Sequence, residues 1–144
     1  MQITEPMTTT KNMMGLVVLS LVPGAITATW VFGAGVLLNL VMAIITAWTT
    51  EGLCLAMRGR SIAPRLKDHS ALLTACLLAL SLPQAAPWWL TMFATVSAVG
   101  LGKHLYGGLG QNPLNPAMLG YAIMLVSAPV AMTTLWVDPL NPPL

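Results

Sequence analysis

Apolar residues run through this chain in long blocks, and short polar or glycine- and proline-rich interruptions divide it into five. The first block covers residues 12–30 and contains Pro23-Gly24, where the missing N–H and the ring of proline predict a kink. A tight Phe32-Gly33-Ala34-Gly35 corner leads into the second, residues 36–57. The polar loop RGRSIAPRLKDHS follows. The third apolar run, ALLTACLLALSL, ends at Pro83. At 1.5 Å per residue such a run reaches about 18 Å, short of a hydrocarbon core of roughly 30 Å. The third element is therefore drawn from 68 to 82, recruiting polar residues before the run. The fourth and fifth are expected at 87–102 and 116–136.

Charge then decides the solvent. Only 7% of residues are charged and 56% are hydrophobic, whereas a soluble domain carries about 25% charged residues. The expected fold class is an all-α integral membrane protein, a single membrane domain of about five transmembrane helices. With the N-terminus inside, Lys11, Arg58, Arg60, Arg65, Lys67 and Lys103 all fall on one side. Trp88, Trp89 and Trp136 then lie at the opposite interface, which gives an N-in, C-out arrangement. A net charge of +2 is too small to suggest a nucleic-acid partner. The N-terminus lacks a signal-peptide pattern, since Glu5 and Pro6 precede the first lysine. Cys54 and Cys76 have no CxxC partner or flanking histidine, so no metal site is expected and both read as membrane-core thiols.

The polar interruption KHLYGGLGQNPLNPAM, residues 103–118, concentrates the candidate chemistry. Gly107, Gly108 and Gly110 permit unusual dihedrals and close approach of another group to the backbone. No Lys-Ser/Thr follows them, which excludes a nucleotide P-loop. Asn115-Pro116 reads as a helix start, with Asn at the N-cap and Pro at N1. Asn112 precedes Asn115 by one turn, so two carboxamides can face the donor–acceptor edge of a flavin beside a positive helix end. A capped loop without any ligand fits the same residues.

Elsewhere, Glu51 is the one carboxylate inside an apolar run. An intramembrane acid is a candidate for an ion path, or it pairs with the basic loop near the interface. Asp68 or Ser70 can cap the third helix, or Asp68 can contribute to a flavin or quinone pocket. His104 beside Lys103 reads as an interface anchor. Tyr106 either packs on a flavin ring or sits at the interface.

The segments KHLYGGLGQNPLNPAMLGYA and LKDHSALLTACLLALSLPQAAPWW closely resemble signatures of the NqrB/RnfD family. These are membrane subunits of ion-translocating Rnf electron-transport complexes and, more distantly, of the sodium-pumping NADH:quinone oxidoreductase. The resemblance covers residues 14–133. It implies a flavoprotein of about ten helices in the bacterial cytoplasmic (inner) membrane, working with other membrane and peripheral subunits of an Rnf-type complex. It also implies two flavins: an FMN joined by a phosphoester to threonine in an S/T-G-A-T motif, and a non-covalent riboflavin or FMN at the N-x-x-N asparagines. The latter match Asn112 and Asn115. No S/T-G-A-T occurs in these 144 residues, and Pro23-Gly24-Ala25-Ile26-Thr27 does not replace it. The covalent threonine is thus expected outside this chain, which looks like the N-terminal half of a family member. The expected function is a membrane subunit, not a complete enzyme alone, of a complex coupling flavin-mediated electron transfer to ion translocation. Two rival readings remain: half of a secondary transporter with a broken-helix substrate site, and a ligand-free structural membrane subunit.

Overall fold

A computed structural model describes residues 6–62, 66–106 and 113–140, with side chains from residue 10 onward. Every regular element among them is helical. Helix α1, Pro6–Phe32, has 27 residues, about 40 Å. It runs through Pro23 without interruption, and the Thr27 hydroxyl donates to the Pro23 carbonyl at 2.8 Å. Gly33, at φ 87°, makes the corner into α2, Ala34–Met57. Gly35 must stay bare, because a Cβ there would lie 2.1 Å from the Gln84 carbonyl oxygen.

Helix α3, Ser70–Ser81, follows a left-handed His69 (φ 61°). Helix α4, Trp88–Ser97, passes directly into a π-helical turn, Ala98–His104. Asn115 caps α5, Pro116–Ser127, which is followed by α6, Pro129–Thr134. Among the described residues, 10–32 and 34–57 form two helices long and apolar enough to cross a membrane; α3 and α5 are apolar but short.

The structure departs from the pattern-based boundaries at particular residues. The expected fifth element, 116–136, bends at Ala128 (φ −136°, ψ 57°), because Pro129 disfavours helical geometry in the residue before it. Ala128 still donates to Met124 O at 2.8 Å and Met132 to Ala128 O at 3.0 Å, so the bend joins α5 and α6. The fourth element extends past residue 102 to His104 by widening its last turns. The third starts at Ser70, so residues 68 and 69 precede it.

Helix α2 is central, touching α1, α3, α4 and the π turn. Its seam with α3 is built of small side chains: Ala43 and Ala47 meet Ala71, Ala75 and Ala79, with Val99 of the π turn. Lipid offers little hydrophobic drive between helices, so close backbone approach through small residues supplies the contact. A second core joins Leu78, Leu90, Ala94, Ala98 and Met124. Gly120 fits there because a Cβ would lie 2.7 Å from Ala94 O. At one end of the bundle the tail folds back: Ala85 donates to Leu135 O at 3.2 Å, and Val137 donates to Gln84 Oε1 at 3.2 Å.

Candidate functional site

The opposite end of the bundle contains a buried charged cluster. α2 turns Glu51 inward, toward α3 and the π turn, leaving it 1% exposed. Lys103 Nζ donates to Glu51 Oε1 at 2.7 Å and to Ser70 Oγ. The Ser70 hydroxyl and backbone N–H both donate to Asp68 Oδ1, at 2.9 and 3.0 Å. Asp68 therefore satisfies the first N–H of α3 while extending the network to a third side chain. His104 Nε2 lies 3.1 Å from Glu51 Oε2, yet neither atom has a hydrogen-bond partner among the described residues. Arg58, just past the end of α2, donates from its guanidinium to the His104 carbonyl.

The π turn makes this arrangement possible. Its wider winding, with Leu105 N donating to Gly100 O at 3.0 Å, directs the consecutive residues Lys103 and His104 at one carboxylate. Both are buried, at 3% and 4% exposure. This corrects the expectation that His104 is an interface anchor. It also moves Lys103 from the polar rim to the interior. Glu51 pairs with Lys103 and faces His104; the loop arginine Arg58 holds the backbone instead.

The second candidate is a groove of about 490 Å³ between α3 and α5, lined by Leu77, Ser81, Asn115, Met118 and Tyr121, among others. Asn115 Oδ1 accepts from Ala117 N at 2.9 Å, so one of its two lone pairs serves the cap. Among the described residues its Nδ2 makes no hydrogen bond, leaving two N–H donors at the positive end of α5. Tyr121, one helical turn and a half farther along, lines the same apolar wall. The close approach of Gly102 to Pro116, where a Cβ would lie 2.9 Å from Pro116 Cα, seats the start of α5 against the π turn.

A planar ring with carbonyl acceptors on one edge is chemically suited to this groove: apolar walls, one phenol ring, two amide donors and a helix N-terminus. Asn115 offers its amide donors to the groove, and its oxygen also serves the cap. Gly107, Gly108, Gly110 and Asn112 lie outside the described residues. Asp68 is not among the groove-lining residues; its hydrogen bonds belong to the charged cluster. The start of α3 thus serves Lys103, and the second half of α3 serves the groove. Tyr106 is exposed and does not line it.

Asn39 forms a third polar contact that sequence reasoning missed. It is 1% exposed, donates from Nδ2 to Pro83 O at 2.9 Å, and accepts from the Thr91 hydroxyl at 2.9 Å. Its signal was an isolated carboxamide within an apolar run, LLNLVM. Among the described residues no group of three or more His, Cys, Asp or Glu could hold a metal ion. Cys54 and Cys76 are free thiols.

The family model described as NQR2, RnfD, RnfE matches residues 3–141. An ion-translocating oxidoreductase complex subunit of Ectopseudomonas mendocina (strain ymp) is 55% identical over 130 residues, covering 90% of this chain and 38% of that protein. Its counterpart in Klebsiella pneumoniae (strain 342) is 52% identical over 125 residues, covering 87% of this chain and 36% of that protein. The counterpart in Pseudomonas aeruginosa (strain LESB58) is 55% identical over 130 residues, covering 90% of this chain and 38% of that protein. The chain therefore spans little more than a third of the length of these relatives.

Proposed function

The chain belongs to the NQR2, RnfD, RnfE family, and from that premise we propose that it forms part of a membrane subunit of an ion-translocating electron-transport complex. In this reading it lies in the bacterial inner membrane with Arg58, Lys103 and the start of α5 on the cytoplasmic side. Other membrane and peripheral subunits complete the assembly. The groove beneath Asn115 takes the polar edge of a non-covalent riboflavin or FMN. A bound flavin supplies the redox chemistry; the chain's own residues supply position and electrostatics. Asn115 Nδ2 donates to a ring carbonyl, Tyr121 and Leu77 flank the ring, and the N-terminus of α5 favours negative charge on it. Asn112 and the glycines at 107, 108 and 110 belong to the same proposal as the segment leading into Asn115.

The observation that carries the flavin reading is the division of labour in Asn115: its oxygen caps the helix while, among the described residues, its amide protons make no hydrogen bond at the groove. The test separates these roles. Asp is as good an N-cap as Asn, so Asn115→Asp keeps the helix start and removes the donors. In the full-length subunit purified with its partners, flavin released by denaturation is expected to fall about tenfold or more, a loss of roughly 1.4 kcal/mol of binding or greater. Far-ultraviolet circular dichroism should stay unchanged. Unaltered releasable flavin in Asn115→Asp and in Asn112→Leu would reject the site.

A further inference from the structure

At the charged end of the bundle, two basic side chains already have partners. Lys103 is held by Glu51 and Ser70, and Arg58 by the His104 carbonyl. Lys11, Arg60 and Lys67 are exposed, and among the described residues their side chains make no ion pair or hydrogen bond. The backbone brings all three to one level. Lys11 lies one turn before Gly15 on the same face of α1. Gly15 faces the start of α3, where a Cβ on it would lie 3.7 Å from His69 Cδ2. Lys67 comes two residues before that histidine. Gly59 (φ 61°) turns the chain out of α2, and Arg60 N donates to Leu55 O at 3.0 Å, which fixes Arg60 just past the last turn. Counted from the Gly33 corner, α1 reaches Lys11 after about 33 Å and α2 reaches Met57 after about 36 Å. Both lengths exceed a hydrocarbon core of roughly 30 Å, so these cations lie at headgroup depth. Met13 and Leu16 of α1 and Leu53 and Met57 of α2 are exposed directly beneath them.

We propose that Lys11, Arg60 and Lys67 bind the phosphate headgroup of one anionic phospholipid, with its acyl chains on the apolar side chains beneath. Charge alone would suit an acidic protein surface equally well. The apolar layer decides for a lipid: a protein approaching from water meets the cations but not Met13, Leu16, Leu53 or Met57, whereas a phospholipid covers both. Arg60 supplies a planar fork for two phosphate oxygens, and the lysines supply point charges on flexible stems. Neither nearby carboxylate pairs with these cations, since Asp68 Oδ1 holds Ser70 and Glu51 Oε1 holds Lys103. A lipid held here ties the ends of α1 and α2 to the entry of α3. The site rests on the chain lying in a membrane and is independent of flavin at Asn115, and its test contains no flavin readout.

The experiment is native mass spectrometry of the full-length subunit purified with its partners, in micelles containing equal amounts of phosphatidylglycerol and phosphatidylcholine. Wild type is expected to hold one phosphatidylglycerol per copy in preference to phosphatidylcholine. Lys11→Gln, Arg60→Gln and Lys67→Gln should each weaken that binding about fivefold, and the triple variant about a hundredfold. Soluble glycerol phosphate should not displace the lipid, because it brings no acyl chains; displacement would reassign the site to a free phosphate and overturn the proposal. Wild type with no preference for phosphatidylglycerol, or with binding that shows no plateau at one per copy, overturns it without any variant. A triple variant that keeps its phosphatidylglycerol but loses a peripheral subunit would make the patch an acidic-protein surface, and equally overturns it.

Discussion

Two of the buried polar side chains of helix α2, Asn39 and Glu51, lie about three turns apart and are satisfied in opposite ways. Asn39 is neutral, and both ends of its carboxamide are engaged, one with Pro83 O and the other with the Thr91 hydroxyl. Glu51 is an ionisable acid: Lys103 donates to its Oε1, while its Oε2 lies 3.1 Å from His104 Nε2 without a hydrogen bond among the described residues. Low dielectric strengthens a completed neutral network and fixes its geometry. The same low dielectric makes an incomplete charged one costly. The Asn39 contact ties α2 to the turn before α4 and to α4 itself. The Glu51 cluster joins α2, α3 and the π turn, and leaves Glu51 Oε2 and His104 Nε2 without hydrogen bonds at its centre. The difference separates a neutral contact that holds helices together from an ionisable one whose cost depends on its partners.

The largest expected effect removes one charge and then both. Lys103→Met leaves the Glu51 carboxylate buried without its ammonium partner, and should cost about 3–5 kcal/mol of stability. Lys103→Met/Glu51→Leu removes the charge along with its partner and should recover most of that loss, because replacing a buried pair by apolar groups is often neutral or stabilising. Unfolding by denaturant titration in detergent measures both. A double variant no more stable than the single one would show that the cluster is held by something other than its ion pair, and the contrast with Asn39 would fail.

How much of this was legible in the chain follows from how local each feature is. Asn115-Pro116 could be read directly, because a cap is decided by adjacent residues, and the cap bond to Ala117 is present. The Gly33 corner was equally visible, since φ 87° suits glycine. The helical class followed from the apolar runs. The bend at Ala128 was available in Pro129 and was outweighed by the continuous hydrophobicity on both sides. The partnership of Glu51 with Lys103 was not legible, because it joins residues on different helices through a π turn that no local propensity announces. His104 was misread for the same reason: a residue after a lysine at the end of a span looks interfacial unless the helix widens there. Asn115 was read as a two-way hydrogen-bonding group, and the structure adds that its acceptor also serves the cap.

A smaller effect probes the satisfied side of the comparison. Asn39→Leu breaks two hydrogen bonds at once and strands the Thr91 hydroxyl among apolar atoms, while the Pro83 carbonyl keeps the bond it accepts from Ala86 N. A buried group left unsatisfied costs about 1–3 kcal/mol. The same denaturant titration should show that loss.

The smallest effect is the sharpest discriminator. Thr91→Val removes only the donor to Asn39 Oδ1 and nearly preserves side-chain shape. Thr91 is fully buried, and its hydroxyl links α4 to the Asn39 acceptor. Interhelical hydrogen bonds in membranes average about 0.6 kcal/mol by double-mutant cycles, because the alternative partners in lipid are not far away. Thr91→Val should therefore cost about that much, and Thr91→Val/Asn39→Leu should cost less than the sum of the single losses, since both remove one shared bond. Strict additivity would mean that the Asn39–Thr91 bond contributes nothing. Polar burial in this bundle would then be tolerated rather than used, at the neutral end as much as at the charged one.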